Sequence, residues 1–193
     1  LVGRYNVENT LAAIAAARAV GVPMEEIVAR LESVPQISGR LESVLSDPFT
    51  VLIDFAHTPA ALEGALAAVK PLTSGRLIVV FGAGGDRDPT KRRPMGEAVR
   101  GHADVVIVTS DNPRTEDPEA IIDDVVEGLE GIDFQRIVDR RVAIRAALEE
   151  AREGDTVVLA GKGHETYQVV GTKKHPFDER KIVGTALREM GVL

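Results

Sequence analysis

The chain has no cysteine and no tryptophan, and only two tyrosines and five phenylalanines among 193 residues. Without cysteine there is neither a disulfide framework nor a thiolate metal site, and a reducing compartment fits. With so few aromatic side chains, the core must be assembled mainly from Val, Ile, Leu and Ala, which suits strands alternating with helices. No apolar run approaches the ~20 residues that span a bilayer, and the opening LVGRYNVENT lacks the charged-then-apolar order of a signal peptide. Basic side chains are the minority, 23 against 30 acidic, for a net charge of -7. A surface of that sign repels phosphate backbones and anionic lipid heads, which argues against nucleic-acid or membrane binding, and the lack of a spanning run and of a signal peptide leads us to expect a cytoplasmic location. The first residue is Leu rather than Met, so the chain is expected to be part of a longer protein.

What is present falls into two parts. Asn6 or Asn9 is placed to cap an Ala-rich helix running to about Val20, where Gly21 ends it, and a second short helix follows Pro23 to about Ser33. The Pro- and Gly-bearing stretch VPQISGR, 34–40, is the expected domain boundary, giving residues 1–38 and 39–193 as two units. Beyond it, β-branched runs at 51–55, 77–81, 105–109, 136–139 and 157–160 alternate with helical patterns near 60–69, 91–101, 118–130 and 141–153. A hairpin near 166–172 and a last helix from about Asp178 complete the chain. Nearly continuous apolar strands separated by amphipathic helices predict a doubly wound α/β domain around a mostly parallel sheet.

In such a sheet ligands bind beyond the carboxyl ends of the strands. Four polar, Gly-containing or Pro-containing clusters fall there: DFAHTP from Asp54, GAGGDRD from Gly82, DNPR from Asp111 and GKGHE from Gly161. Each alone has a plainer explanation. GAGGDRD lacks the G-x-G-x-x-G spacing and reads equally as a strand-to-helix turn, although three charges of mixed sign after three glycines favour a polar ligand. Lys91-Arg92-Arg93 can be a solvated helix start, but cations in a first turn oppose the helix dipole and call for a compensating anion. In DNPR, Pro113 presets the backbone and Arg114 offers a planar fork for a carboxylate, or else a surface ion pair. GKGHE lacks the full phosphate-loop pattern; its glycines admit close backbone approach and Glu165 can accept from an ammonium. His57 and His164, without acidic or histidine partners at ligand spacing, read as hydrogen-bonding or stacking residues rather than metal ligands.

Taken together and in order, these segments resemble the Mur ligases, in particular the MurE-type UDP-N-acetylmuramoyl-tripeptide synthetases. DFAHTPAAL resembles D-Y-A-H-x-P-x-x-L, GAGGDRDPTKRRPMG resembles G-x-G-G-x-R-D-x-x-K-R, and DNPRTEDP, GKGHETYQ and HPFDER look like the matching C-terminal pieces. The likeness starts at GRYNVEN, similar to the end of the family's central ATPase domain. One departure is that the family's K-R-P-x-M becomes Lys91-Arg92-Arg93-Pro94-Met95, which leaves the local turn open.

The resemblance implies a Rossmann-like C-terminal domain preceded by a helical remnant of the ATPase domain. It implies amino-acid contacts from Arg87, Asp111, Asn112, Pro113, Arg114, Gly161 and Glu165, and a nucleotide side at Asn6, Asn9, Arg40, Asp54 and His57. The D-N-P-R form is associated with meso-diaminopimelate, whose second carboxylate Arg114 would grip. The implied reaction uses ATP and Mg²⁺, with sites mostly outside this chain and no metal ligand within it. It phosphorylates the glutamate side chain of UDP-MurNAc-L-Ala-D-Glu, and the amino acid's amine then attacks the acyl phosphate. Alternatives are a lysine- or ornithine-adding relative, a folyl-polyglutamate or cyanophycin-type ligase domain, and a non-catalytic amino-acid-binding module.

Overall fold

A computed structural model describes residues 3–31 and 33–193; residues 1, 2 and 32, the last inside the second expected helix, lie outside it. The first helix, α1 (Arg4–Ala19), begins earlier than expected. Gly3, at φ 96°, turns out of the helix and its carbonyl accepts the first ladder bond from the Asn6 amide at 3.0 Å. Asn6 and Asn9 therefore lie inside the helix rather than at its cap, a correction that follows from glycine adopting the cap backbone without a side-chain acceptor. Gly21, at φ 90°, ends the helix as its sequence position predicts, and α2 (Met24–Leu31) follows.

The rest is a layered α/β unit. Strands β1 (Glu42–Leu45), β2 (Thr50–Asp54), β3 (Leu77–Phe81), β4 (Val105–Val108), β5 (Gln135–Arg136) and β6 (Thr156–Ala160) form one sheet in the order β1-β2-β6-β3-β4-β5. All neighbouring pairs are parallel except β1 with β2. The central strands are buried on both sides because helices cover both faces. On one face Leu62, Leu66 and Val69 of α3 (Pro59–Val69), Met95 and Val99 of α4 (Arg92–Arg100) and Ile121 and Val125 of α5 (Pro118–Val126) pack on Val79, Phe81 and Val158. On the other, Ile144 and Leu148 of α6 (Arg140–Glu150) and Val183 and Leu187 of α7 (Glu179–Glu189) pack on Ile53, Val80 and Leu159. The alternation of residues along each strand between these two sets is the period-2 pattern that the apolar runs obscure. No helix among the described residues is long and apolar enough to cross a membrane.

Three details differ from expectation. Strand β1 went unrecognised because it is only four residues long and at an edge, with Glu42 and Ser43 leaving just Val44 and Leu45 as an apolar signal. Strand β5 keeps only Arg136 of the expected 136–139 and starts one residue earlier, at Gln135: the Ile137 amide still donates to Val108 at 3.0 Å, but Asp139 leaves the sheet to cap α6, accepting from the amides of Arg141 and Val142. The hairpin, β7 (Tyr167–Val170) with β8 (Lys173–Pro176), extends four residues past its expected end and forms a separate two-stranded sheet. The displaced Pro94 is harmless: it is the third residue of α4, after a 3₁₀ turn at Pro89–Lys91, where a missing amide breaks no ladder bond.

Helix α7 fastens the segment before β1. Arg180 donates through Nε to Glu42 at 2.8 Å and through Nη2 to Ser38 at 2.6 Å, and the Gly39 amide donates to Glu42 at 2.7 Å. The hydrogen bond from Arg180 holds the Glu42 carboxyl below the usual glutamate range against the opposing effect of burial. A carboxylate with a depressed folded-state value stabilises the fold above its unfolded value and loses that contribution as pH falls through the folded one. Glu42→Gln is therefore expected to lower stability at neutral pH, with the gap to wild type closing as pH drops below the ordinary glutamate range; urea denaturation at pH 7 and pH 3 measures it. An equal gap at both values rules out the ion pair as the cause.

Candidate functional site

The chain reverses direction at β6. Connections after β2, β3 and β4 cover one face of the sheet, while β6 feeds the hairpin and α7 on the other side. Loops leaving β6 therefore part from those of its neighbours, and a crevice opens at the carboxyl edge as the topology requires. A cleft of ≈ 220 Å³ occupies it, lined by Phe55 and His57 after β2, Gly84, Arg87 and Lys91 after β3, Asp111, Asn112 and Arg114 after β4, and Gly161 and Glu165 after β6. Six of the seven residues expected to contact an amino acid meet here. Pro113 instead lines a larger cavity of ≈ 550 Å³ on the far side of its loop, together with Arg114 and Arg140.

Close backbone approach builds the cleft. The space where a Gly85 side chain would stand is filled by the Pro113 carbonyl, so Gly85 lies against the DNPR loop and its amide donates to Asn112 O at 2.9 Å. Gly161 has φ 121°, and a Cβ there would stand 2.5 Å from Asp111 Oδ2. Gly85 is dictated by packing alone, and Gly161 by packing and by its left-handed backbone together. The two loops are also laced by side chains, since Asp86 accepts from the Thr115 hydroxyl at 2.7 Å and from its amide at 3.2 Å. Asp86 and Arg114 both hold positive φ, 51° and 54°, an uncommon state for residues with side chains.

Arg114 is held from two sides. Its amide donates to Val169 O at 3.1 Å and its carbonyl accepts from the Gly171 amide at 2.6 Å, tying its backbone to the hairpin. Its Nη1 donates to Gly85 O at 2.7 Å and, more weakly, to Asn112 O at 3.4 Å. Glu165 Oε2 accepts from Asn112 Nδ2 at 2.9 Å. Behind them lies Lys162, fully buried, donating to Asn112 Oδ1 at 3.0 Å and Tyr167 O at 2.9 Å, with Glu165 and Asp111 oxygens at 3.4 and 3.5 Å. The sequence pattern did not single out this lysine, because GKGHE drew attention to its glycines and its glutamate; only the fold shows that its ammonium points inward.

The basic triplet does not act as one anion site. Arg92 is buried and paired with Glu116 at 2.7 Å and Asp124 at 2.8 Å, and Arg93 pairs with Glu97 at 3.1 Å. Internal carboxylates thus answer two of the three cations expected to call for an external anion, and Lys91 alone faces the cleft.

Of the expected nucleotide-side residues, His57 lines the cleft, its Nδ1 donating to Phe55 O at 2.7 Å. Arg40 and Asp54 line a neighbouring cavity of ≈ 270 Å³ with Ala56, Ala60 and Gly64. Arg40 stacks over Phe55, 5.4 Å from the ring centre. The Asp54 oxygens accept from the amides of Leu41 at 2.7 Å and Ala56 at 2.8 Å, and burial pushes its carboxyl above the usual range despite these bonds. Asn6 and Asn9 line neither cavity. Among the described residues no group of three His, Asp or Glu side chains is placed to hold a metal ion.

An open, mostly parallel α/β sheet with a cleft of mixed charge at four strand ends is the architecture of a Mur ligase C-terminal domain. The chain belongs to that family: residues 39–163 match the model of the Mur ligase, glutamate ligase domain. It is 50% identical over 194 aligned positions to the UDP-N-acetylmuramoyl-L-alanyl-D-glutamate-2,6-diaminopimelate ligase of Thermosynechococcus vestitus, covering 98% of this chain and 39% of that protein. Its likeness to the ligase of the same name from Bacillus velezensis is 48% over 191 positions, covering 98% and 39%. A solved structure of a ligase of that name superposes with a TM-score of 0.79 at 42% identity, covering 99% of this chain and 40% of the other. Mycobacterium tuberculosis folylpolyglutamate synthase complexed with ADP and AMPPCP superposes with a TM-score of 0.68 at 25% identity over 83% of this chain and 38% of its own. The chain spans about 39% of the length of the curated relatives it matches.

Proposed function

We propose that the chain is the amino-acid-binding C-terminal part of an ATP-dependent amide ligase that adds meso-diaminopimelate to UDP-MurNAc-L-Ala-D-Glu in the cytoplasm. Residues 39–193 form the binding domain and residues 1–38 the end of a central ATPase domain. The observation that carries this reading is the gathering of Arg87, Lys91 and Arg114 with Asp111 and Glu165 around one cleft. Both signs of charge are needed for a ligand with two carboxylates and two ammonium groups. Glu165 and Asp111 suit an ammonium, and the Arg114 fork suits the second carboxylate, which lysine and ornithine lack.

The reaction converts a carboxylate, a poor electrophile, into an acyl phosphate at the expense of ATP, and an amine then displaces phosphate to give the amide. Mg²⁺, held chiefly by residues outside this chain, supplies charge neutralisation during phosphoryl transfer. The residues here bind the amino acid and hold its amine in line, converting a bimolecular encounter into a positioned one. Arg40, stacked on Phe55 beside the second cavity, with Asp54 and His57, forms the nucleotide side in this reading; Asn6 and Asn9 are assigned to that side by the family resemblance alone, since neither lines the cavity.

The chain contains no G-K-[ST] phosphate loop. Residues 1–193 alone are accordingly expected to bind diaminopimelate weakly and to form no amide with ATP. The complete ligase is expected to couple diaminopimelate to the UDP-dipeptide and to use lysine and ornithine poorly. Amide formation followed by phosphate release and mass spectrometry tests both statements. Equal use of lysine, or activity of the isolated chain, contradicts the reading.

A further inference from the structure

Lys162 has no place in the scheme above, yet it is the most enclosed cation of the cleft wall. Its side chain is fully buried, and burying an ammonium is tolerated only where acceptors replace its hydration. Every acceptor it has belongs to an element of the cleft: Asn112 Oδ1 on the DNPR loop, Glu165 Oε2 and Asp111 Oδ1 on the walls, and Tyr167 O at the root of the hairpin. The Phe177 ring lies beyond it, its centre 5.7 Å from Nζ.

This arrangement decides orientations that the ligand would meet. Asn112 Oδ1 takes two donors, the ammonium and the Val169 amide at 2.8 Å, so its Nδ2 must turn to Glu165. Glu165 Oε2 is then occupied by Asn112 and Lys162, while no described residue donates to Oε1. The carboxylate is thereby fixed in rotation at the cleft. The same ammonium offsets the repulsion between Asp111 and Glu165, leaving the pair one net negative charge. Through Tyr167 and Asn112 it also joins the hairpin to the loop that carries Arg114.

We infer that Lys162 is a positioning residue for the amino-acid substrate, setting the orientation of Glu165 and Asn112 and the balance of charge between Glu165 and Asp111. The inference rests on the proposed function and goes beyond it, since Lys162 need not touch the ligand.

The test uses the complete ligase with Lys162→Met, which keeps the length of the side chain and removes the charge and the donors. The KM for diaminopimelate is expected to rise on the order of 10- to 100-fold, with the KM for ATP unchanged and the melting temperature of the complete ligase still showing a folded protein. In an E165Q background the same substitution is expected to cost much less, because its effect passes through Glu165. Additive effects of the two changes, an unaltered KM for diaminopimelate, or a parallel loss in all kinetic parameters would each overturn the inference. If K162M does not fold, Lys162→Gln, which retains a donor, carries the same readouts; failure of both to fold would also overturn it, assigning the lysine to stability alone. A wild-type enzyme inert towards diaminopimelate would remove the proposed function and this inference with it. An active wild type with unaffected variants removes only the inference.

Discussion

Arg114→Ala in the complete ligase is expected to lower kcat/KM for diaminopimelate by roughly 30- to 1,000-fold, about 2 to 4 kcal/mol, the cost of truncating one partner of a desolvated charged hydrogen-bonded pair. One guanidinium nitrogen, Nη1, is committed to Gly85 O and Asn112 O, while no described residue accepts from Nε or Nη2. Those two donors are the parallel pair that a carboxylate takes. The hairpin and the Gly85 carbonyl hold the fork in place before any ligand arrives, so little of its binding energy is spent on ordering the side chain. Lysine, without the distal carboxylate, should lose nothing by the change, so the ratio of the two substrates' kcat/KM values is the decisive measurement. Unchanged kinetics with diaminopimelate would remove Arg114 as the discriminating contact.

A comparable effect on stability is expected beneath the cleft. Arg140 and Glu179 are both fully buried, paired at 2.8 Å, and Arg140 Nη2 donates to the carbonyl of Ala160, the residue before Gly161, at 2.9 Å. Burial pushes the Glu179 carboxyl up, while Arg140 pulls it back. Arg140 Nη1 and Glu179 Oε2 have no hydrogen-bond partner, so the pair is incompletely satisfied even when intact. Arg140→Ala leaves the carboxylate uncompensated and should destabilise the domain by about 3 to 5 kcal/mol, whereas replacing both residues by Met should cost less than the single change. In the single variant Glu179 enters the interior most easily as the neutral acid. Its folded-state value is then raised, so its contribution is intact below the unfolded value and lost as pH rises through the folded one. The deficit of Arg140→Ala should therefore be larger at pH 8 than at pH 5 by urea denaturation. A deficit that grows on acidification excludes this account.

Three layers of charge lie at the same edge of the sheet at different depths. The Arg140–Glu179 pair fixes the end of β6, Lys162 fixes the loop that follows, and Arg114 and Glu165 stand at the surface of that assembly. Charge is thus stacked from the core outward, each layer restricting the orientation of the next.

Much of this was legible before any coordinates. The β-branched runs at 77–81, 105–109 and 157–160 became parallel strands because both faces of each must be covered, and clusters after such strands must lie at one edge of the sheet. That is why Arg87, Asp111, Asn112, Arg114, Gly161 and Glu165 were expected together and line one cleft. The Asn caps and the length of β5 were misread because each is decided by local competition, a glycine against an asparagine for the cap and a capping aspartate against a ladder position, while β1 was missed because it is too short to show a period.

The sequence by itself determined the class of sheet, the edge at which chemistry gathers and the family, since hydrophobic period and residue order survive without coordinates. Only the tertiary structure decided which charges face the cleft and which face one another. Arg92 and Lys91 are adjacent in the chain, yet the first is buried against Glu116 and Asp124 and the second opens on the cleft. Lys162 and Glu165, three residues apart, divide in the same way, one fully buried and the other lining the cleft. A charged side chain's partner lies in most of these cases dozens of residues away, so its role is fixed by which distant acceptor the fold brings within 3 to 4 Å.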